Sequence, residues 1–174
     1  MNLKEILESD NIIKEINNNL EYLLTIIPEL KDMIGFDHKH PHHHLDVWNH
    51  TLYALSLSPN DFEIRLALLL HDIGKPHSFV EGEVRHFPNH PLVSCEITRK
   101  ILTRLNYDDK TIERICYLVK THDSAITKEE INNNRSLLYK RYVVQYCDAY
   151  AHNPDKLEKR VKYLGKIKNY FKEG

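Results

Sequence analysis

The chain has 174 residues, of which 41% are hydrophobic and 28% charged, and its formal net charge is −1 with histidine neutral. This length and composition fit one soluble globular domain, and the sequence contains neither a signal peptide nor the roughly 20 consecutive apolar residues that span a bilayer. Three cysteines without a CxxC pair indicate neither a zinc thiolate site nor a disulfide framework. We therefore expect a cytoplasmic protein with no membrane partner, in which histidine and carboxylate hold any metal.

Helical spacing of apolar residues dominates the chain, and no segment shows the sustained alternation of a sheet protein. The sequence predicts an all-α fold of about seven helices. The first spans roughly residues 3–27, and Pro28 then opens a short helix that ends at Gly35. A loop at residues 38–44 follows and contains five of the 12 histidines.

The centre of the predicted fold is a helix at about residues 62–73. Asp61 can cap its start, and residues 66–70 are apolar on every side of the helix, so this helix must be buried. Asp46 can cap the preceding helix, at about residues 47–57.

The second half of the chain predicts a small hairpin or an irregular loop at residues 79–87, followed by more helices. These helices are expected at about residues 91–105, 108–122, 135–152 and 154–171. The last is basic, because residues 154–174 carry seven Lys or Arg against three Asp or Glu. We interpret this excess as a solvated helix face, and an RNA contact is the weaker alternative.

The most informative segment is His-Asp-Ile-Gly-Lys at residues 71–75, at the end of the apolar helix. A buried carboxylate at a helix C-terminus meets the negative end of the helix dipole, so Asp72 needs a nearby cation. His50, His122 and Asp148 also share helix faces with apolar residues. A shared metal would offset the cost of burying these groups, and the ligand types suit Fe, Mn, Ni, Co or Zn alike.

This pattern resembles the HD superfamily, whose signature H…HD…D is here His50, His71-Asp72 and Asp148. Three segments look more specifically like the HD domain of bacterial tRNA nucleotidyltransferases (CCA-adding enzymes). They are DVWNHTL (46–52), LLLHDIGKP (68–76) and FPNHPLVS (87–94). The resemblance implies an HD-domain helical bundle. We expect a single domain over residues 1–174, with its core at about 44–152 and with the N-terminal helices (1–35) and the basic helix (154–171) packed on that core.

The resemblance also implies a function, namely metal-dependent phosphatase and 2′,3′-cyclic phosphodiesterase chemistry. The nucleotidyltransferase head, with its paired aspartates beside a sheet, has no counterpart in the sequence, so we expect no CCA addition and leave the substrate open. Several HD subfamilies extend the signature to H…HD…H…H…D, which implies two metals bridged by the Asp of the HD pair. Here His90 and His122 supply the two additional histidines, and Asp72 would be the bridge.

In the expected mechanism a metal-activated water attacks the phosphorus of a small phosphorylated substrate, most simply a nucleotide. Asp72 would orient that water or take its proton. Lys75 would meet the phosphate as a point charge, and the alternative is that it complements the helix dipole. Residues that adjoin the predicted ligands are expected to support them or to line the mouth of the site: His44, Thr51, Asn89 and Asp123. For His44, an exposed surface loop is the alternative.

Two other functions stay open on the sequence. HD-like di-iron oxygenases, which cleave C–C or C–P bonds, use the same ligand types in the same order. A non-catalytic module that binds a nucleotide and regulates a partner is the second alternative. Lys75 and the segments around the ligands favour hydrolysis, and the presence of every ligand argues against a module that has lost its chemistry. The number of metals and the oligomeric state are not decided.

Overall fold

A computed structural model describes residues 1–173. Within that range the chain forms ten α-helices and three short 3₁₀ helices, and its one isolated bridge joins Val80 to His86 in antiparallel fashion. The predicted all-α fold is confirmed, and residues 79–87 are a loop with this single bridge. Across residues 1–173, no helix has both the length and the apolar surface that crossing a bilayer requires.

The N-terminal arm is α1 (Leu3–Leu7), α2 (Ile12–Asn18), α3 (Leu20–Ile26) and a 3₁₀ helix (Pro28–Met33). The prediction of one continuous helix over residues 3–27 is therefore wrong. The Asn11 side chain begins α2 by accepting a hydrogen bond from the Lys14 backbone N–H, and Asn19 ends this helix. Asparagine side chains compete with helical backbone hydrogen bonds, so the arm breaks at asparagines while its apolar face still reaches the core.

Helix α5 (Phe62–Leu70) is the centre of the fold, and all its residues from Ile64 onward are buried. Three helices pack around it: α4 (Val47–Ser56), α7 (Asp109–Lys120) and α9 (Arg135–Tyr150). The predicted caps are confirmed, because the Asp46 and Asp61 side chains accept backbone hydrogen bonds from Asn49 and Ile64. Helix α5 ends at Leu70, three residues before the predicted end, so His71 and Asp72 lie at its carboxyl terminus.

Helix α6 (His90–Arg104) packs along α7, and α10 (Glu158–Lys172) packs on α9 and on a short α8 (Lys128–Asn133). Helix α8 was missed by the periodicity analysis, although Thr127 and Glu130 form a capping box that signals its start. A small second apolar cluster joins α8, α9 and α10. In this cluster Ile167 of α10 lies with Ile131 of α8 and with Leu138 near the start of α9.

The histidine-rich loop is tied to distant parts of the chain by backbone hydrogen bonds. The Arg85 N–H donates to the Lys39 carbonyl at 2.9 Å, and the Asn153 N–H donates to the His42 carbonyl at 2.7 Å. Since Asn153 follows α9 and Arg85 precedes α6, the loop is held between the two elements that flank the predicted site.

Candidate metal centre

His71 and Asp72 directly follow α5, and His71 is the C-cap residue of that helix. Nδ1 of His71 lies 2.6 Å from the Leu68 carbonyl oxygen. Because a carbonyl only accepts, Nδ1 carries a proton, and Nε2 is the nitrogen that can bind either a metal or a second proton. That Nε2 faces Asp148 Oδ1 at 3.1 Å and Asp72 Oδ2 at 3.3 Å.

His50, on α4, repeats this arrangement. Its Nδ1 donates to the Ala151 carbonyl at 3.0 Å. Its Nε2 lies 2.9 Å from Asp148 Oδ1 and 3.4 Å from Asp72 Oδ2. Helices α4 and α9 and the end of α5 thus bring four buried ligand atoms within 4.8 Å of one another, from His50, His71, Asp72 and Asp148.

A second group forms on the other oxygen of Asp72. Nδ1 of His90 donates to the Phe87 carbonyl at 3.1 Å, and Nδ1 of His122 donates to the Val119 carbonyl at 2.6 Å. The two Nε2 atoms lie 3.3 Å apart, and they are 3.3 and 3.5 Å from Asp72 Oδ1. Two imidazole lone pairs that face each other at this distance repel unless a cation or a proton lies between them.

Asp72 therefore lies between two sets of imidazole nitrogens, one set for each carboxylate oxygen. Both oxygens are buried, and neither receives a hydrogen bond of good geometry within residues 1–173. Burying a carboxylate without hydrogen bonds costs free energy. A divalent metal would offset that cost, because carboxylate oxygens and imidazole nitrogens with free lone pairs are its usual protein ligands. The residues present fit one metal on each side of Asp72. We name the six residues the ligand cluster: His50, His71, Asp72, His90, His122 and Asp148.

The electrostatics of the ligand cluster agree with a site built for positive charge. Burial opposes protonation of His71, but the Asp72 and Asp148 carboxylates outweigh it and raise the pKa of His71 to about 10. Burial also acts to raise the pKa of Asp72, yet His71 and Lys75 hold it well below its usual range. A proton on His71 thus offsets the carboxylate charge, and a metal binding there competes with that proton.

Gly74 determines how closely α6 approaches the ligand cluster. Its N–H donates to Ser94 Oγ at 2.8 Å, and a Cβ at Gly74 would lie 2.5 Å from the Ser94 backbone nitrogen. Only a residue without a side chain allows α6 this close to the turn. The approach carries His90, the first residue of α6, to Asp72.

Lys75 is buried beside Asp72. Its Nζ lies 3.2 Å from Asp72 Oδ2 and 3.0 Å from Nε2 of His38. His38 is fixed as an acceptor at Nε2, because its Nδ1 donates to the Leu45 carbonyl at 2.8 Å. Lys75 also lines the cavity beside the ligand cluster, so its ammonium group can interact both with Asp72 and with an anion in that cavity.

A second set of imidazoles lies beside the ligand cluster, and three of its rings, those of His38, His43 and His152, pack against His50. The His38 and His43 rings stack with centroids 3.6 Å apart, and the His152 ring lies 4.4 Å from that of His43. Nearer the surface, the His40 ring lies 5.0 Å from His42 and 5.8 Å from His86. We name this set the histidine layer: His38, His40, His42, His43, His86 and His152. The histidine run is visible in the sequence, but its packing on His50 was not predicted.

The supporting residues predicted from the sequence lie in different surroundings. Thr51 is buried and donates its hydroxyl to the Val47 carbonyl of its own helix. Asn89 has a left-handed backbone, with φ 58°, and its side chain does not cap α6. Asp123 is exposed and lines the cleft, whereas His44 is exposed and lies outside it. Of the four, the structure brings only Asp123 to the cleft.

The cleft beside the ligand cluster has two parts. One is a cavity of about 180 Å³ lined by Lys75, Asp72 and every member of the histidine layer except His38. The other is a cavity of about 230 Å³ between α9 and α10, lined by Ala149, Tyr163 and Leu164 among others. Both parts contain four of the same residues: His122, Asp123, Asp148 and Arg160. Sequence reasoning missed Arg160 because it treated the basic C-terminal helix as a solvated face.

Comparison of the chain with known proteins identifies its family. The model of the HD domain matches residues 42–163, which is well over half of the chain. The chain belongs to the HD-domain family. HD domains form a superfamily of metal-dependent phosphohydrolases. The matched residues 42–163 include all six residues of the ligand cluster and Arg160.

Two curated relatives confirm the more specific resemblance. The A-adding tRNA nucleotidyltransferase of Deinococcus radiodurans is 36% identical over 126 residues, which are 64% of this chain and 29% of that protein. The CC-adding tRNA nucleotidyltransferase of Thermus thermophilus is 38% identical over 111 residues, 59% of this chain and 25% of that protein. The chain thus spans less than a third of either relative, and the likeness is confined to the HD part.

Proposed function

We propose that this HD-domain protein is a metal-dependent phosphohydrolase whose substrate is a phosphomonoester or a cyclic phosphodiester of a nucleotide. One observation carries the proposal. Each oxygen of the buried Asp72 carboxylate faces a separate set of histidine Nε2 atoms, at 3.3 to 3.5 Å, at the bottom of an open cleft. A carboxylate shared in this way suits two metals about 3.5–4 Å apart, the spacing that serves phosphate ester hydrolysis.

In this proposal the ligand cluster holds one or two divalent transition metals. His50, His71 and Asp148 would hold one, His90 and His122 the other, and Asp72 would bridge them. When bound, such metals polarise phosphate oxygens and lower the pKa of a bound water towards 7. The backbone carbonyls that accept from each Nδ1 fix the four rings, which keeps their Nε2 atoms aimed at Asp72 and Asp148.

Two further residues have proposed roles in the reaction. Asp72 would orient the attacking water or accept its proton, because its oxygens lie between both histidine sets. Lys75 would stabilise the negative charge of the phosphate from the cavity wall, while its contact with Asp72 keeps that carboxylate ionised. The cationic and N–H donor groups of the cavity wall suit an anionic phosphate. RNA, which the names of the relatives suggest, is an alternative source of the phosphate ester.

The test begins with the metal. We expect about two equivalents of Mn, Fe, Co, Ni or Zn per chain by elemental analysis of the purified protein. Release of phosphate from nucleotides, and opening of cyclic phosphodiesters to phosphomonoesters, should require added Mn, Co or Ni. Asp72→Asn keeps the shape of the side chain but removes its charge. It should lower metal affinity and activity at least about a hundredfold, because losing even an outer partner of a metal ligand costs about 10–100-fold.

Asp123→Asn is the matched control for metal content, since it removes an exposed carboxylate from the same cleft. Its metal content should equal that of the wild type. Full metal occupancy in Asp72→Asn would contradict the ligand assignment. Oxygen consumption by the iron-loaded protein, without hydrolysis of any phosphate ester, would favour the oxygenase instead.

A further inference from the structure

Arg160, on α10, stands where the two parts of the cleft meet. Within residues 1–173 its one hydrogen-bond partner is Nδ1 of His42, which lies 3.4 Å from its Nη1. In the same range no carboxylate forms an ion pair with it, although most other arginines of the fold have one. A guanidinium that borders a cleft without a carboxylate partner retains free N–H donors for an anionic ligand.

The imidazoles beside Arg160 are fixed as donors as well. Nδ1 of His42 accepts from Arg160, and Nδ1 of His40 accepts from the His42 backbone N–H at 3.2 Å. In each ring the remaining nitrogen, Nε2, must then carry the proton. Burial and the neighbouring positive groups lower the pKa of both histidines, so both rings stay neutral near pH 7. We name this surface the donor rim: His40, His42 and Arg160.

The donor rim and the ligand cluster suit groups of opposite charge. The ligand cluster offers acceptors and needs cations, whereas the donor rim offers donors and needs an anion. Lys156 and Lys159, both exposed, add positive charge close enough to His42 to lower its pKa. A substrate with a single phosphate at the metals leaves the donor rim to water.

We propose that the donor rim binds a second phosphate group of the substrate, separate from the phosphate that is cleaved at the ligand cluster. This inference rests on the proposed function, because it takes the first phosphate to lie at the metals. It narrows the substrate to nucleotides with two phosphates, either a nucleoside bisphosphate or a nucleotide whose second phosphate links it to a chain. Arg160 is then a specificity-determining residue.

The second part of the cleft has room for the base of such a nucleotide. Ala125, Ala149 and Leu164 give it an apolar wall. The amide of Gln145 is already used, because it donates to the Thr121 and Ser124 carbonyls and accepts from the Tyr163 hydroxyl. The amide is therefore not free to form hydrogen bonds with the edge of a base. Recognition of the base in this part of the cleft would depend on how its shape fits the apolar wall.

The test compares adenosine 3′,5′-bisphosphate with AMP on the metal-loaded protein at constant ionic strength. Calorimetry gives the two affinities, and phosphate release in the same samples gives the activity. Wild type should bind the bisphosphate at least about tenfold more tightly, since one hydrogen bond to a charged group supplies that factor. Arg160→Ala should remove this preference, and the affinity for AMP should change less than about threefold.

Two further variants keep the test decisive. Lys162→Ala removes a positive charge from the exposed side of the same helix, where Lys162 pairs with Glu158, and should keep the full preference. Arg160→Lys keeps the positive charge but loses the planar guanidinium, so this variant should keep only part of the preference for the bisphosphate. If Arg160→Ala does not fold, Arg160→Lys takes its place in the test. Equal affinities in wild type, or a preference of wild-type size in both Arg160→Ala and Arg160→Lys, would overturn the proposal. Absence of phosphate release with the preference intact would instead refute only the proposed function.

A third probe separates the two sources of the second phosphate. In an RNA dinucleotide with a 3′-phosphate, the second phosphate is the bridging one. Tighter binding of this dinucleotide than of the bisphosphate would assign the donor rim to a chain. Weaker binding would assign it to a free nucleotide.

Discussion

The ligand cluster and the histidine layer lie side by side, and both are rich in imidazole, yet the pKa of His71 shifts in the opposite direction from those of His38 and His152. In the ligand cluster the Nε2 atoms face Asp72 and Asp148, and the pKa of His71 rises to about 10. In the histidine layer the rings face one another and Lys75, and burial lowers the pKa of His38 to about 2 and of His152 to about 3.

The difference comes from the carboxylates. His152 and His71 both donate Nδ1 to a carbonyl within one helical turn. Only His71 has carboxylate oxygens within 3.5 Å of its Nε2. Histidine content alone therefore does not mark a metal site in this chain. The positions of Asp72 and Asp148 do, because their charge makes a cation favourable in a buried setting.

The largest expected effect separates the two sets directly. Metal titration of wild type should give about two equivalents per chain, and His122→Ala about one, because it removes one imidazole from the Oδ1 side of Asp72. His152→Ala, the matched loss of a buried imidazole from the histidine layer, should keep about two. Circular dichroism checks that both variants remain helical. One equivalent in all three proteins would show that the centre holds a single metal.

A smaller effect is expected from the approach of α6. In Gly74→Ala the new Cβ would meet the Ser94 nitrogen at 2.5 Å and the His90 carbonyl oxygen at 3.0 Å, so α6 must move. We expect a loss of about 1–3 kcal/mol in unfolding free energy, as for other overpacked sites, and weaker binding of the second metal. Urea denaturation and metal titration measure the two effects.

Gly165→Ala is the control for that substitution. It lies inside α10, and nothing stands within 4 Å of its added Cβ. Alanine should stabilise this helix by up to about 1 kcal/mol through its higher helix propensity. Equal destabilisation by both substitutions would mean that the tight contact at Gly74 is not what matters.

The smallest effect concerns pH. Burial outweighs the Asp148 carboxylate and lowers the folded-state pKa of His152 to about 3, while an unfolded histidine titrates near 6.5. Between about pH 3 and pH 6.5, His152 therefore binds a proton in the unfolded state but not in the folded state. Stability should fall as the pH drops below about 6.5, by at most about 1.4 kcal/mol per pH unit for this group, until the pH approaches 3.

Urea denaturation at pH 7 and pH 5 tests this dependence. His152→Asn should lose about 1–2 kcal/mol less than wild type between these two pH values. His44→Asn makes the same exchange at an exposed position and should follow the wild type. If His152→Asn and wild type lose the same stability on acidification, His152 is not a buried neutral imidazole.

Much of the fold follows from local signals. The cap residues Asp46 and Asp61 mark helix starts that the structure confirms, and the wholly apolar residues 66–70 place α5 at the centre. The N-terminal arm was predicted wrongly as one helix, because its apolar spacing hid the breaks at Asn11 and Asn19. Periodicity reports which face of a helix is buried, but it does not weigh asparagine side chains that bond to the backbone.

The sequence by itself predicted the inward direction of His50, His71, His122 and Asp148, because an apolar stripe fixes the direction of a polar side chain on the same helix face. For His90 the sequence offered only the family resemblance and a helix start. That these residues bind metal stays a prediction. Only the tertiary structure decided which carboxylate oxygen each imidazole faces, that the histidine layer packs on His50, and that Arg160 borders the cleft. His50 and Asp148 are 98 positions apart, and their 2.9 Å separation depends on how α4 and α9 pack on α5. Packing of that kind is set by the shapes of many side chains at once, which no local pattern records.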